Sequence, residues 1–242
     1  MANKGIKVNA NTSVSELETL EDIYNAWIYS ICRNHTAKMA DMVSISTNTL
    51  LNEHCRERVE RGVGICKDCY ADRQVNTWTS MQPKLTFNTE FLTSKIWDIE
   101  SIPNVNCLYF RFEAFGDLMP IKQGGINQFA NYCNFARVNK ETKFALWTKN
   151  PWVIKQALKQ GVVIPKNLVI VFSVLATDFL ITDSFVSAVK KAYPFVNKVF
   201  AVYTKEFIND HDVVVNCGAR SCFKCHRCYS KKTDVVVIEE KK

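Results

Sequence analysis

Cysteines are the residues of this chain whose type and spacing point most directly to chemistry. The sequence has ten of them in 242 residues, and seven lie in two short clusters. Residues 217–229 read CGARSCFKCHRCY and contain the pattern C-x4-C-x2-C-x2-C. A two-residue gap lets one turn direct two sulfur atoms at one metal centre, so this spacing recurs in zinc and iron–sulfur proteins. The clustered cysteines, which we predict to bind metal, are Cys55, Cys66, Cys69, Cys217, Cys222, Cys225 and Cys228.

The two clusters share a sequence pattern. Residues 66–71 read CKDCYA and residues 225–230 read CHRCYS, so each has C-x-x-C followed by a tyrosine and a small residue. We predict that the two loops face each other at one end of the fold. His54 and His226 adjoin clustered cysteines and are alternative ligands, but we interpret both as surface residues beside the metal site.

The identity of the metal follows from how many thiolates each kind of site uses. A structural zinc ion takes four ligands in a closed tetrahedron. The two C-x-x-C pairs would supply such a set, namely Cys66, Cys69, Cys225 and Cys228. That choice leaves three clustered cysteines without a role. Iron–sulfur clusters use the thiolates more completely: the C-terminal four could hold one cluster and the upstream three another, or all seven could surround one larger assembly. Three thiolates on a four-iron cluster leave one iron open for a ligand or substrate. We predict iron–sulfur clusters, with zinc as the alternative.

The other three cysteines stand alone in the sequence. Cys32 lies near the end of a predicted helix, Cys107 in a predicted strand, and Cys133 on the apolar side of a helix. A lone cysteine in a reducing compartment is most often a small buried hydrophobic residue. We therefore expect these three to contribute to packing and not to bind metal.

Composition and charge narrow the class of protein. Hydrophobic residues make up 47% of the chain, which is enough for a core without disulfide bonds. The opening segment MANKGIKVNANTSVSE is polar and no run of eighteen apolar residues occurs, so we expect a cytoplasmic protein without membrane partners. The net charge of +7 leaves nucleic acid open as a partner. However, the basic residues are dispersed, and metal-bound thiolates would add negative charge.

The segments that position the clusters alternate between strand and helix. We predict an N-terminal helix at about 13–32, because Ser13 and Glu16 have capping-box spacing and apolar residues follow at helical intervals. Strand-like segments then alternate with helical ones, which indicates βαβ units and a parallel sheet. We place these strands within 42–48, 106–115, 142–150, 167–176, 197–206 and 234–240. No glycine-rich dinucleotide motif follows a strand, so the pattern favours one domain over 1–242, a complete or partial (β/α) barrel with cysteine-rich loops at one end.

In a barrel, the chemistry gathers where the parallel strands end. The strand ends of this sequence carry several polar residues. Our candidates for catalytic or substrate-binding groups are Glu113, Asp117, Lys149 and Lys205. A structural alternative exists for the two carboxylates, since either could cap the following helix or pair with Arg111.

Four segments together resemble a known family. ICKDCYA, YFRFEAFGDL, FALWTKNP and CGARSCFKCHRCY are similar to segments of the phage protein family called gene product eighty-eight, whose members look like reduced relatives of radical-SAM barrels. The resemblance covers roughly residues 38–230. It implies a phage or prophage origin, hence the cytoplasm of the host cell, a barrel-like α/β fold and iron–sulfur binding.

The chain departs from radical-SAM enzymes at their cluster motif. Those enzymes have C-x3-C-x2-C, whereas ten residues separate Cys55 from Cys66 here. This departure counts against binding of S-adenosylmethionine. Three hypotheses follow: redox or cluster-based chemistry at the barrel mouth, a non-enzymatic metalloprotein with a structural or sensing cluster, and a zinc-stabilised nucleic-acid-binding module.

Overall fold

A seven-stranded sheet forms the centre of the fold in the computed structural model, which describes residues 5–34 and 37–241. The strands lie side by side in chain order. Strand β1 pairs antiparallel with β2, and every later pair is parallel. The strands are β1 (Cys32–Arg33), β2 (Val43–Ile45), β3 (Tyr109–Phe112), β4 (Lys143–Thr148), β5 (Leu168–Ser173), β6 (Lys198–Tyr203) and β7 (Val236–Glu240).

Helices connect the parallel strands, because a parallel pair needs a crossover connection. Polar side chains begin several of them: Thr19, Thr182 and Thr204 each accept a hydrogen bond from the backbone of the first turn. The helices are α1 (Leu20–Ser30), α2 (Glu53–Glu60), α3 (Tyr70–Thr77), α4 (Gln82–Ser94), α5 (Gly125–Val138), α6 (Pro151–Lys159), α7 (Asp183–Ala192), α8 (Lys205–Asp210) and α9 (Cys222–Cys225). Among the described residues, no helix combines the length and apolarity that a membrane crossing requires.

The predicted α/β class is confirmed, whereas a closed barrel is not. Within residues 5–34 and 37–241, β7 pairs only with β6 and β1 only with β2, so the sheet has two free edges. Barrel closure requires the first and last strands to pair, and here the short antiparallel β1 occupies one edge instead.

The predicted N-terminal helix is shorter than expected. Ser13 and Glu16 do form a capping box, but it begins only a 3-10 turn at Val14–Glu16. A second capping box, between Thr19 and Asp22, begins α1 itself. The chain becomes extended at Ile31, so Cys32 lies in β1 and is exposed, not buried as we expected.

The two faces of the sheet are covered differently. Alternation along the strands turns Phe110, Phe112, Phe144 and their neighbours towards α1, α4, α5, α6 and α7, where the main core lies. The opposite face is covered by the C-terminal segment 222–229. We call it the cysteine face. Its residues on β3, β4 and β5 are Tyr109, Arg111, Ala145, Trp147, Val169 and Val171.

The remaining lone cysteines lie on the helix side of the sheet. Cys133 is fully buried on α5, as expected. Cys107 is only half-buried and precedes β3, because that strand begins two residues later at Tyr109.

Candidate metal centres

The upstream cysteines form the three-cysteine group, consisting of Cys55, Cys66 and Cys69. Cys55 lies in the first turn of α2, where its N–H donates to the side chain of the capping residue Asn52 at 3.3 Å. Asn52 is fully buried, and its side-chain amide donates to the carbonyl of Asp117 at 2.9 Å. One side chain therefore both begins the helix and attaches it to the segment that follows β3.

The loop that carries Cys66 and Cys69 is held against the end of β5. Ile65 donates its N–H to the carbonyl of Leu175 at 2.9 Å. Gly64 has a φ of 52°, and a Cβ at this position would overlap the Leu175 carbonyl, so glycine is required. Cys69 is the N-terminal cap residue of α3. The N-terminal ends of α2 and α3 therefore both carry cysteines, Cys55 in the first turn and Cys69 at the cap, and the partial positive charge of a helix N-terminus stabilises a thiolate there.

A cavity of about 40 Å³ lies between these cysteines and the carboxyl ends of β3 and β4. The three cysteines line it together with Asp117, which follows β3, and Lys149, which follows β4. Three other residues in its wall have buried polar atoms without a hydrogen-bond partner within the described residues. These atoms are Thr49 Oγ1, His54 Nε2 and Arg58 Nη1. Such atoms are rare in folded proteins and indicate space for a group that would satisfy them.

Two cations, Lys149 and Arg58, lie around this cavity together with Asp117 and the thiols. Burial raises the pKa of Cys55 and of Cys66. Burial alone would lower the pKa of Lys149, but Asp117 and the cysteines outweigh it, so that the pKa of Lys149 is raised. Without a metal, the buried thiols therefore hold their protons, and metal binding must release them.

Asp117 is fixed at the edge of this cavity. Its Oδ1 accepts hydrogen bonds from the Thr148 hydroxyl at 2.6 Å and from the N–H of Leu118 at 2.7 Å. Its Oδ2 accepts from the N–H of Lys149 at 2.8 Å. These bonds join the ends of β3 and β4, so Asp117 keeps the cavity wall in place as well as contributing charge.

The C-terminal cysteines form the four-cysteine group, consisting of Cys217, Cys222, Cys225 and Cys228. Cys217 donates its N–H to the carbonyl of Ile238 at 2.9 Å, which attaches it to β7. Cys222 and Cys225 begin and end the single turn α9, and Cys228 lies in the 3-10 turn that follows. Between these turns His226 has a φ of 40°, which reverses the chain and returns Cys228 to the sheet.

Aromatic side chains pack this segment onto the cysteine face. The ring of Tyr109 lies 5.6 Å from that of Phe223, 5.5 Å from that of His226 and 5.2 Å from that of Tyr229. Tyr229 is 4% exposed, and its hydroxyl has no partner among the described residues. The aromatic contacts therefore exclude water from one side of the four-cysteine group.

Basic side chains surround the same thiols. Lys38 Nζ lies 3.2 Å from Cys217 Sγ and 2.6 Å from a carboxylate oxygen of Glu239. Burial raises the pKa of Cys228 to about 12, although nearby Arg111 acts in the opposite direction. A metal that replaced these thiol protons would create negative charge next to existing cations, which favours binding.

Seven free thiols make up the donor set of the two groups. Within the part of the chain that the structure describes, no three His, Cys, Asp or Glu side chains converge on one ion. The ribbon-like zinc set of Cys66, Cys69, Cys225 and Cys228 is therefore not assembled. Zinc would require its sulfur ligands at about 2.3 Å from one point.

Unpartnered polar atoms concentrate at these two groups. The described residues contain seven buried side-chain nitrogen or oxygen atoms without a hydrogen bond. Two of them, on Trp27 and Asn88, lie elsewhere. The other five border the cysteines: Thr49, His54 and Arg58 at the three-cysteine group, and Arg111 and Tyr229 at the four-cysteine group. The residues present thus fit two cofactors of the same thiolate-bound class.

Two of the four predicted strand-end candidates line the cavity, namely Asp117 and Lys149. Lys205 is the exposed first residue of α8 and is not part of the cavity wall. Glu113 is buried in a closed network: its oxygens accept hydrogen bonds from Gln128, from the Tyr132 hydroxyl, and from both the N–H and the hydroxyl of Thr47. Burial raises the pKa of Glu113 to about 8.

The structure changes the expected relation between the two loops. The three-cysteine group lies at the carboxyl ends of the strands, whereas the four-cysteine group lies across the cysteine face. Tyr70 and Tyr229, the matching tyrosines, both lie near Arg111. Their roles differ, because Tyr70 is half exposed and donates to the carbonyl of Ala114, whereas Tyr229 is buried.

Sequence reasoning missed several residues of these sites. The alternation of YFRF in β3 places Arg111 on the same face as Tyr109, and this was the available signal. His54 faces the cavity with an unpartnered nitrogen, although we interpreted it as a surface residue. For Thr49 and Arg58 no sequence signal exists, since their place depends on how α2 and the turn before it lie against the segment that follows β3.

Comparisons of the chain with protein-family models, with curated proteins and with solved structures gave no match. The resemblance to the phage family stays a prediction that rests on the quoted motifs.

Proposed function

We propose that this chain is an iron–sulfur protein with two centres. The three-cysteine group would hold a cluster with one iron open to an added ligand, and the four-cysteine group a cluster whose irons all have protein ligands. Such clusters supply one-electron transfer and, at an open iron, a place for a ligand. The observation that carries the proposal is the coincidence of seven free thiols in two groups with five buried, unpartnered polar atoms.

The chain's own residues would bind, shield and compensate these centres. The N-terminal ends of α2 and α3 place Cys55 and Cys69 where helix dipoles favour negative charge. Lys149 faces one group and Lys38 the other. These cations offset the negative charge that thiolate ligands bring.

The groups beside the thiols indicate what a ligand at the open iron would contact. His54, Asp117 and Lys149 line the cavity. Lys149 favours an anionic or electron-rich ligand, and His54 offers its Nε2, which has no hydrogen-bond partner within the described residues. We therefore propose redox chemistry on a small polar ligand at this position.

One observation favours a non-enzymatic metalloprotein as the second candidate. A cavity of about 40 Å³ has space for little more than a water molecule. If the cavity keeps this size with clusters bound, the two centres store or sense electrons and do not act on a substrate. The zinc-stabilised nucleic-acid module stays a prediction.

The arrangement of the sheet supports a finer statement about the fold. Parallel strands in chain order, with helices on one face, are the arrangement of a (β/α) barrel that has been opened along one side. We propose that the chain is such a partial barrel and that the cysteine face corresponds to the barrel interior. This reading agrees with the phage-family resemblance.

The test is the metal content of protein prepared without oxygen. We expect several irons and comparable acid-labile sulfide per chain in the wild type. Cys66→Ala should remove the iron of one centre and Cys228→Ala that of the other, so that each variant keeps the remainder. Cys133→Ala is the matched control, because Cys133 is buried outside both groups and should leave the iron unchanged. About one zinc per chain without labile sulfide would contradict the proposal.

A further inference from the structure

Arg111 has an unusual environment for an arginine. It extends from the middle of β3 onto the cysteine face, where its guanidinium carbon lies 4.3 Å from the centre of the Trp147 ring. Its Nη1 lies 3.5 Å from the sulfur of Met39. Its Nε is buried and has no acceptor within the described residues. Arg111 takes part in none of the ion pairs among the described residues.

Arg220 and Lys224 are exposed to solvent, whereas the partly buried cations near the four-cysteine group have oxygen partners. Lys38 pairs with Glu239 at 2.6 Å, and Arg227 pairs with Asp234 at 2.9 Å. Lys198 Nζ donates to the carbonyl oxygen of Asp234 at 2.6 Å. Arg111 is only partly exposed, and an enclosed guanidinium without a counter-charge is costly, so Arg111 favours an anion beside it that the described residues do not provide.

The neighbours of Arg111 indicate which anion this is. Cys222, Cys228 and Tyr229 face the guanidinium from the C-terminal segment, and Tyr70 faces it from the three-cysteine loop. The Trp147 ring, which stacks on Arg111, also contacts Tyr229 edge-on at 6.0 Å between centroids. The positive charge is therefore held beside the four-cysteine group, on the side that faces the other group.

We propose that Arg111 is the charge-compensating residue of the four-cysteine centre and raises its reduction potential. The inference rests on the proposed function. Reduction adds one electron from an external donor to the centre, and no bond forms or breaks. The centre becomes more negative by one charge, so a fixed cation nearby stabilises the reduced form more than the oxidised form. Stacking on Trp147 limits the movement of this charge.

The test is a reductive titration of anaerobically loaded protein with dithionite, followed by electron paramagnetic resonance. Arg111→Met removes the charge, and the equilibrium constant for reduction of the four-cysteine centre should fall at least tenfold, or about 59 mV for one electron. Arg111→Lys keeps the charge, so in this variant the equilibrium constant for reduction should fall less. Arg137→Met is the matched control, because Arg137 is exposed on α5 and should leave the potential unchanged.

Metal-free protein gives a second readout. If Arg111 lacks a counter-charge until a cluster binds, Arg111→Met should leave the melting temperature of the metal-free protein unchanged or raise it. A merely structural arginine would lower it, and this result would overturn the proposal. Arg111→Gln replaces the methionine variant if that variant does not fold.

The two proposals fail in different ways. Arg111→Met could retain its iron and sulfide and also show the wild-type reduction potential. This result would overturn the role of Arg111 and leave the iron–sulfur assignment intact. Wild-type protein that binds no iron would overturn both.

Discussion

The two cysteine groups differ in how the chain assembles them. The four-cysteine group comes from residues 217–228, and single turns such as α9 bring its members together. The three-cysteine group combines α2 with the loop before α3, and it depends on contacts with the ends of β3, β4 and β5. One group is a local motif, whereas the other exists only where the strands end.

The two cysteine groups also differ in the side chains that surround them. Aromatic rings from both the sheet and the segment itself cover the four-cysteine group. The three-cysteine group borders a cavity whose wall includes His54, Asp117 and Lys149. A shielded group with all ligands supplied is suited to storing an electron, and a group with a cavity and polar neighbours is suited to binding a ligand. The difference teaches that two groups of the same side chain can lie in different surroundings within one chain.

The largest expected effect is the loss of iron from the three-cysteine group alone. Gly64→Ala places a Cβ against the Leu175 carbonyl and should displace the loop of Cys66 and Cys69 from β5. We expect loss of the iron of that centre, with the four-cysteine centre retained. Iron analysis and electron paramagnetic resonance measure both.

Gly62→Ala is the matched control for this change. Gly62 also has a left-handed backbone, with a φ of 61°, but nothing lies within 4 Å of the added carbon. It should cost only the conformational strain, about 1–2 kcal/mol of the free energy of unfolding, and keep both centres. Equal iron loss in the two variants would show that backbone strain, and not the contact with β5, holds the loop.

An intermediate effect concerns pH and the ends of the strands. The pKa of Glu113 is raised to about 8 from 4.5, so the folded chain holds this proton more tightly than the unfolded chain. The stability that results is complete below about pH 4.5 and is lost as the pH rises to about 8. Glu113→Gln should remove this pH-dependent loss of stability, which amounts to a few kcal/mol at most of the free energy of unfolding.

Urea unfolding of the metal-free protein at several pH values measures this difference. Glu141→Gln is the control, because Glu141 is exposed and should keep the wild-type dependence. Since Glu113 lies against Gly116 beside the cavity, the effect belongs to the three-cysteine end of the molecule. An unchanged pH dependence in Glu113→Gln would contradict the assignment.

The smallest effect separates both groups from the lone cysteines. Cys133→Ala should lower the free energy of unfolding by about 1 kcal/mol, because Cys133 is fully buried against the core. Cys107→Ala should cost less, since Cys107 is half-buried. Urea unfolding measures both costs. Iron content should stay at the wild-type value, and loss of iron in either variant would extend the metal sites beyond the seven clustered cysteines.

Much of the fold and part of the sites could be predicted from the sequence. Alternation along YFRF and KFALWT, with helical segments between the strands, was sufficient for a parallel α/β sheet, because side-chain periodicity is a local property. The close spacing of the cysteines likewise divides them into seven clustered and three lone residues, and metal binding by the seven stays a prediction. Asp117 and Lys149 could be identified because residues after parallel strands meet at one edge.

Only the tertiary structure decided how these parts meet. The free sheet edges, the contact of Gly64 with Leu175 and the position of Arg111 beside Cys228 depend on strand order and on packing between distant segments. Likewise, a strand-end carboxylate such as Glu113 cannot be told from Asp117 by its place in the chain. One is enclosed by four hydrogen bonds and the other faces a cavity, because α5 packs over the first and not over the second. Local spacing determines which cysteines lie together in the sequence, and long-range packing determines which charges and cavities surround them.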